Sequence, residues 1–404
     1  MKIQFLTAGA VLLVSNLFAQ TFTNYTTSDG LLHDNVNCLD VDATDNLWFG
    51  TQDGVSVFNG SIWGSYTTAD GLVDNTIQAI YVANSGDVWA GTDFGVSVWS
   101  TGVWTSYTTA DGLGNNQIKC ISEDLNGDIW FGTNNGASEF DGTNWTNYGT
   151  AEGLPFGGVT TISAHANGDL WMGSGLGGMM IFDGSSFTAI TTAEGLIDDR
   201  IRGLVIDGSD NKWVATSEGI TVLDNTNSVA MHHTTIFTLP APDTLNPIED
   251  IEMDGQGNIW VGVYVDYLVT EGGVCAYDGS QWIEYHVADG LIGPVVRALA
   301  IDGNDDVWVA TSTGVSKISD HNVGVDESEA LSFSIYPNPA IDVVNIASAN
   351  EISGSIELFT TSMQLVKSIE VIGSQENLQL NVGDLSAGIY FIRIGETTQK
   401  IMLK

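Results

Sequence analysis

Basic residues are scarce in this sequence. Lysine and arginine together number 11, against 50 aspartates and glutamates, which gives a formal net charge of −39. A surface of that sign repels nucleic acid and anionic membranes, so neither is expected as a partner. Solubility and aspartate-rich turns explain such a charge, and a calcium-rich extracellular setting is the alternative. We predict no cofactor, with structural calcium left open.

Cysteine is also rare. The three cysteines are Cys38, Cys120 and Cys275. Cys38 and Cys120 each stand ten residues before a repeated tryptophan, in the first and third copies of the repeat, where a disulfide cannot reach between them. No second cysteine or histidine lies at ligand spacing, so the sequence predicts buried free thiols and no metal site.

Long apolar runs are missing beyond the N-terminus. Residues 1–19 carry Lys2, an apolar stretch from Ala8 to Val14, and Ala19 before Gln20. This pattern is typical of a cleaved secretory signal, and the stretch is too short to span a membrane. No later segment reaches spanning length. We therefore expect export via the periplasm, with the protein secreted or held on the outer cell surface.

What the chain has instead is a repeat marked by tryptophan. Seven of these residues are separated by steps of 41, 41, 41, 42, 47 and 48: Trp48, Trp89, Trp130, Trp171, Trp213, Trp260 and Trp308. Such a period is the length of one four-stranded propeller blade, and seven blades can close into a ring. The sequence predicts an all-β protein whose first domain, residues 20–319, is a seven-bladed β-propeller.

The two ends of the repeat predict how the ring closes. Phe22 lies 41 residues before Trp63, and Tyr25 lies 41 residues before Tyr66, so the N-terminal segment matches an outermost strand alone. The seventh copy stops near Ile318 without an outermost strand of its own. We expect the N-terminal strand to complete the seventh blade, which leaves no open edge.

The repeat resembles a known family, the two-component regulator propeller. The matching residues are Asp70-Gly71-Leu72, Asn75, Gly86-Asp87, Trp89, Gly91-Thr92, Gly95, Trp104 and Tyr107. In that family, tandem repeats form periplasmic sensor propellers, often for oligosaccharides, ahead of a membrane helix and a kinase. Neither follows here, so the resemblance implies ligand binding and does not imply signalling through an attached kinase.

Because every blade carries the tryptophan, we assign it to packing between blades and look for function where the repeat breaks. Met231-His232-His233 and the proline-bearing stretch from Leu239 to Pro247 replace the usual loop after blade five. Blade six expands its loop at Val263 to Gly273, which contains Tyr264 and Tyr267. Both insertions are expected on one face of the ring, and loops on a rigid scaffold often carry function. The alternative is that the two insertions arose by neutral drift and have no function.

A second asymmetry concerns the residue eleven positions before each tryptophan. It is polar in every copy and is expected at the mouth of the central channel: Asn37, Gln78, Lys119, Thr160, Arg202, Glu249 and Arg297. Three of the six basic residues of the propeller occupy this one position, and Arg200 is close by. Such a ring could hold a carboxylate or phosphate. The alternative is that the cations neutralise nearby aspartates in a watery channel.

Signals for catalysis are weak. His232 and His233 are the only histidine pair, and neighbours on a strand point to opposite faces. No Ser–His–Asp spacing, metal motif or phosphate loop is readable. Streptogramin B lyases are also seven-bladed propellers, which keeps a lyase among the alternatives by analogy of fold alone.

The C-terminal residues differ from the repeat. After a polar linker at 320–332, residues 333–404 read as short alternating strands and predict a small, Ig-like β-sandwich. Tyr336-Pro337-Asn338-Pro339, Gly388-Ile389-Tyr390-Phe391 and Lys400 to Lys404 resemble the type IX secretion system C-terminal sorting domain of Bacteroidetes. Met363-Gln364 stands where that family usually has Gly-Lys, in the central hairpin of the domain. The resemblance implies two partners, the secretion machinery and a sortase that removes the tail.

Together these observations favour a non-enzymatic, exported propeller that binds a glycan or other extracellular polymer on its irregular face near blades five and six. The candidate ligand-binding residues are Lys119, Arg200, Arg202, Arg297, Tyr264 and Tyr267. A lyase or hydrolase acting at the same face, through His232 or His233, is one alternative. A surface adhesin or protein-interaction scaffold is the other.

Overall fold

The chain folds into two β-rich units, residues 1–324 and 325–404. The computed structural model describes residues 20–238, 247–264, 272–321, 333–360, 365–394 and 397–404. Across these ranges every regular element is a strand, apart from one 3-10 turn at Val287–Asp289. The predicted all-β class is confirmed.

The strands of the first unit are short, with four to six residues each. In chain order they are β1 (Thr21–Tyr25), β2 (Val36–Val41), β3 (Leu47–Thr51), β4 (Val55–Phe58), β5 (Trp63–Tyr66), β6 (Ala79–Val82), β7 (Val88–Gly91), β8 (Val96–Ser100), β9 (Val103–Tyr107), β10 (Ile118–Glu123), β11 (Ile129–Thr133), β12 (Gly136–Phe140), β13 (Trp145–Tyr148), β14 (Val159–Ala164), β15 (Leu170–Ser174), β16 (Met179–Phe182), β17 (Phe187–Ile190), β18 (Ile201–Ile206), β19 (Lys212–Thr216), β20 (Gly219–Leu223), β21 (Val229–His233), β22 (Ile248–Met253), β23 (Ile259–Tyr264), β24 (Gly272–Tyr277), β25 (Trp282–Tyr285), β26 (Val296–Ile301), β27 (Val307–Thr311) and β28 (Gly314–Ser319).

These strands form seven antiparallel four-stranded sheets, which are the blades of a propeller. Six blades consist of four consecutive strands, beginning with β2–β5. The first strand of each blade is innermost and lies beside the first strand of the next, and β26 lies beside β2. The ring is therefore closed.

The seventh blade is completed by the N-terminus, as predicted. Its strand order is β1-β28-β27-β26, and β1 pairs antiparallel with β28 from Thr21 opposite Ser319 to Tyr25 opposite Val315. The ring of Tyr25 stacks on Trp308, with centroids 5.5 Å apart. This strand supplies the outer edge that the seventh repeat lacks, so that the first and last segments of the propeller hold each other.

The repeated tryptophans are structural. Trp260 is fully buried and packs with Val296 and Leu299 of the following blade. Its indole nitrogen donates to Asp254 over 2.9 Å, and the same carboxylate accepts the backbone N–H of Asn258. One aspartate thus closes the turn after the inner strand and orients the tryptophan, and this arrangement recurs in the pairs Asp42–Trp48, Asp124–Trp130, Asp207–Trp213 and Asp302–Trp308.

The second unit is a small domain around its own core. Its strands are β29 (Phe333–Tyr336), β30 (Val343–Thr360), β31 (Leu365–Asn381), β32 (Gly388–Ile394) and β33 (Thr397–Leu403). All five join one hydrogen-bonded sheet, in which the long β30 pairs with β29 and β31 at its start and with β31 and β32 at its end. Val344, Ile392 and Ile401 are fully buried in the shared core.

Candidate functional site

A channel of about 870 Å³ is enclosed by the seven inner strands of the propeller. The seven polar residues predicted at its mouth all line it: Asn37, Gln78, Lys119, Thr160, Arg202, Glu249 and Arg297. These residues stand at the start of the inner strands. We call the face of the ring at which the inner strands begin the mouth face.

A β-bulge in the inner strand presents these side chains in every blade but the second, where Gln78 directly precedes β6. In blade three, Ile118 pairs with Thr133 and Cys120 pairs with Gly132, so Lys119 has no partner on the neighbouring strand. The same skip occurs in six of the seven blades. A bulge inserts one residue and redirects its side chain out of the strand alternation. The bulge thus turns one residue toward the channel in each of these six blades.

The neutral residues of this ring bond to the protein itself. The Asn37 side chain donates to the carbonyl of Ile77 over 2.8 Å, and the Thr160 hydroxyl donates to the carbonyl of Ile201 over 2.8 Å. Each of these bonds joins one blade to the next. Asn37 and Thr160 therefore hold the mouth together.

The cations of the ring are different. Lys119 and Arg297 are both exposed, and within the described ranges their side chains form no hydrogen bond or ion pair. Arg202 donates from Nε to the Ser217 hydroxyl over 3.2 Å and lies 3.6 Å from Glu249. Among the described residues of the propeller, the other four basic side chains have carboxylate partners, so Lys119 and Arg297 are the two left free to bind an acidic group.

The remaining basic residues of the propeller are paired. Arg200 forms ion pairs with Asp198 at 2.8 Å and Glu218 at 3.1 Å, and it is not among the residues that line the channel. Lys212 and Lys317 lie beside aspartates as well. The structure thus separates Arg200 from the three mouth cations with which the sequence grouped it.

Deeper in the channel the wall becomes acidic. The Asp40 carboxylate accepts the backbone N–H of Val82, and the Asp250 carboxylate accepts that of Leu299, each over 2.7 Å and each from the following blade. Burial raises the pKa of Asp40 to about 6 and that of Asp250 to about 7. Burial, with Asp250 and Asp40 nearby, raises the pKa of Glu252 well above its ordinary value. Cations thus stand at the mouth, and carboxyl groups that resist ionisation stand below them.

The two candidate catalytic histidines lie on β21, the outermost strand of blade five, and neither lines the channel. His233 stacks on Trp213 with centroids 5.3 Å apart and accepts a hydrogen bond from the Trp282 indole. Burial lowers the pKa of His233, with a smaller contribution from His232. His233 of blade five occupies the position that Tyr148 occupies in blade three. Both rings stack on the repeated tryptophan of their own blade and pack against the next blade.

The insertions after blade five and within blade six lie largely outside the described residues, at 239–246 and 265–271. Tyr267 lies in the second of these ranges, and the side chain of Tyr264 is also outside the described part of the chain. Their place on the mouth face, and their role as stacking partners, stay predictions.

One feature of the mouth face was missed by the sequence reasoning. Phe156 and Leu176 are 83% and 63% exposed, and both belong to loops of blade four. The signal was present in the repeat, because the position of Phe156 is polar in His33, Asp74, Asn115 and Asp198 and is glycine in Gly293. A comparison of loops, in addition to tryptophan spacing, would have found it.

Comparisons with known families agree with both units. Residues 334–404 match the secretion system C-terminal sorting domain, and residues 112–135 match the two component regulator propeller. The chain therefore carries a sorting domain of the type IX system, which directs export to the cell surface or the medium. The described part of the chain contains no helix long and apolar enough to cross a membrane.

Solved structures of similar fold are also propellers. PorZ, a surface component of the type-IX secretion system of Porphyromonas gingivalis, is 17% identical with a TM-score of 0.61, over 93% of this chain and 60% of PorZ. A streptogramin B lyase is 15% identical with a TM-score of 0.59, over 74% of this chain and 97% of the lyase. At these identities the likeness shows the fold.

Among curated proteins, the chain is similar to beta-agarase A of Zobellia galactanivorans. The two are 24% identical over 135 residues, which are 31% of this chain and 24% of the agarase. The chain thus spans about a quarter of that relative's length.

Proposed function

We propose that this protein is an exported, non-enzymatic binding propeller that holds an acidic group of an extracellular glycan or polymer at the channel mouth. The observation that carries the proposal is the state of Lys119 and Arg297. Both line the mouth and both are unpaired, although the chain has 50 acidic residues. Charge-assisted hydrogen bonds to a carboxylate or phosphate would satisfy them.

The positions of the cations suit a ligand that ends at the mouth. Lys119, Arg202 and Arg297 belong to blades three, five and seven, so they approach the axis from alternate blades. An acidic group on the axis would be within the common reach of long side chains from several sides. Arg202 already has contacts with Ser217 and Glu249 and is expected to contribute less than the two unpaired cations.

The net charge of the protein limits which acidic polymers it can bind. A polymer with an acidic group on every unit would be repelled by a protein of net charge −39, as nucleic acid would. A mostly neutral glycan with an isolated acidic sugar avoids this repulsion, because screening limits the interaction of distant charges to about 8 Å at physiological salt. We therefore favour a neutral chain with a single or terminal acidic residue.

The irregular loops near blades five and six extend this proposal. Tyr264 and Tyr267 would flank the mouth as stacking partners, whereas Arg200, which is paired with Asp198 and Glu218, would contribute little to binding. We further propose that residues 1–19 are a signal removed on passage to the periplasm, and that a sortase removes the C-terminal domain at the surface. These steps follow from the resemblances and from the composition of the N-terminus.

A glycan array tests the proposed function. The full-length chain is applied to matched pairs of oligosaccharides that differ only in a terminal carboxylated sugar. We expect binding to the acidic member of a pair and much weaker binding to its neutral partner. Failure to bind any acidic member, together with capture of a protein partner, would favour the scaffold alternative, and turnover of a bound glycan would favour the lyase or hydrolase.

A further inference from the structure

Blade four differs from the other blades in the loop that leads to its inner strand. In blades one, two, three and five the residue at the position of Phe156 caps this loop, whereas blade seven has Gly293 there. Asp74, Asn115 and Asp198 each accept the backbone N–H two residues later through a side-chain oxygen, at 2.8 to 3.0 Å. Such local bonds are what these residues contribute to turns.

Phe156 cannot make this bond. The loop instead turns through Gly157 and Gly158, whose φ angles are +116° and +76°. A phenylalanine that is 83% exposed gains nothing from burial and supplies no cap. The loop does not need this side chain for its conformation, which points to a contact with something outside the chain.

The surroundings of Phe156 form a shallow platform. Leu176 lies against Gly157, the residue after Phe156, since a β-carbon at Gly157 would be 3.1 Å from that of Leu176. Asn135 and Thr150 line a small depression together with Phe156, and their side chains form no hydrogen bond within the described ranges. An apolar surface is thus bordered by a free amide and a free hydroxyl.

The platform adjoins the channel mouth. A β-carbon at Gly175 would lie 3.2 Å from the carbonyl oxygen of Gly157 and 3.6 Å from Cγ2 of Thr160. Glycine at 175 therefore lets the platform loop meet Thr160, the mouth residue of blade four. The neighbouring blades on either side supply Lys119 and Arg202.

We propose that this platform, formed by Phe156, Leu176, Asn135 and Thr150, binds a neutral sugar ring of the glycan whose acidic residue is held at the mouth. A sugar ring has an apolar C–H face, which packs on an aromatic ring, and a border of hydroxyls, which bonds to amides and hydroxyls. The inference rests on the proposed function and adds to it a second subsite and a direction, from the axis outward across blade four.

Calorimetry with two probes tests the platform on the full-length chain. Free glucuronate can occupy only the mouth, whereas a trisaccharide that ends in glucuronate can reach both subsites. Phe156→Asn introduces the residue that blade three has at this position. We expect it to weaken trisaccharide binding about tenfold, or about 1.4 kcal/mol, and to leave glucuronate binding unchanged.

Two further variants make the failures distinguishable. Lys119→Gln/Arg297→Gln removes the mouth cations and should weaken both probes. The control is Leu125→Asn. Leu125 is 63% exposed and follows the end of β10 that is away from the mouth face, so this variant should bind both probes as the wild type does.

If Phe156→Asn leaves trisaccharide binding intact, or weakens both probes equally, the platform is refuted while the mouth stands. If the double variant has no effect on either probe, the proposed function itself fails. A wild-type chain that binds glucuronate no more weakly than the trisaccharide also overturns the platform.

Discussion

Among single residues, the carboxyl groups inside the channel stabilise the fold less when they are ionised than when they are protonated. Asp40 and Asp250 accept backbone N–H bonds across blade boundaries, and these bonds favour ionisation, but burial outweighs them. Glu252 stands near both, so the negative charges also oppose one another. Each of these groups holds its proton in the folded chain at pH values where the unfolded chain has released it.

This arrangement predicts a pH dependence for a single substitution. Because the folded-state pKa of Glu252 is raised, its contribution to stability is complete below the ordinary glutamate pKa and is lost as pH rises through the folded-state pKa. Glu252→Gln removes that loss. We expect the variant to unfold at least about 2 °C higher than the wild type at pH 8 and at nearly the same temperature at pH 4.5. Thermal unfolding followed by circular dichroism measures the difference, and a variant less stable at pH 8 would contradict the account.

The mouth residues show how far single positions could be predicted. Lys119, Arg202 and Arg297 were found from their fixed distance to the tryptophans, because a repeat fixes which residue of each strand faces the axis. Their pairing could not be predicted, since it depends on carboxylates brought close by folding. Arg200 is two residues from Arg202 in sequence, yet Asp198 of its own loop and Glu218 of the turn between β19 and β20 are its partners.

The turns at the end of the inner strands form contacts between blades that the repeat pattern did not predict. Asp45, Asp210 and Asp305 have left-handed φ angles of +60°, +66° and +68°, at a position held by glycine in other blades. The Asp305 carboxylate accepts the backbone N–H of Gly255 over 2.7 Å, and Asp45 accepts that of Gly303 over 2.9 Å. An unfavourable backbone conformation is thus offset by bonds to the neighbouring blade.

Replacement of one of these aspartates by glycine separates the two effects. Asp305→Gly relieves the left-handed strain but removes the bond to Gly255 and a second bond to Gln256. Hydrogen bonds to charged groups contribute about 1.5–3 kcal/mol, so we expect a net loss of about 1 kcal/mol in the free energy of unfolding.

The matched control is Asn227→Gly. Asn227 has a φ of +61°, and its side chain forms no hydrogen bond within the described ranges. This variant should be as stable as the wild type or slightly more stable. Denaturant unfolding of both variants tests the argument, and equal effects of the two substitutions would refute it.

For whole strands, the prediction was accurate in order and less so in detail. The four strands of a blade, its turns and the role of β1 were readable, because apolar alternation and Gly/Asp turns recur at one period. The bulge was not readable, since an inserted residue in a short strand leaves the apolar pattern nearly unchanged. It is nevertheless the bulge that aims Lys119 and Arg297 into the channel.

In the molecule as a whole, regularity builds the scaffold and irregularity marks the candidate site. Seven equivalent blades place seven residues around one axis, and closure by β1 keeps that ring fixed. The platform in blade four arises where one loop exchanges a capping side chain for Phe156. The proposed ligand therefore meets residues from several blades, which no single repeat could supply.

Binding at the unpaired mouth cations is tested by the affinity of a glucuronate-terminated trisaccharide for Arg297→Gln and for Arg200→Gln, measured by calorimetry on the full-length chain. Both substitutions remove one positive charge, but Arg297 is unpaired at the mouth and Arg200 is paired with two carboxylates away from it. We expect about a tenfold loss of affinity for Arg297→Gln and little change for Arg200→Gln. Equal losses, or no loss with Arg297→Gln, would contradict it.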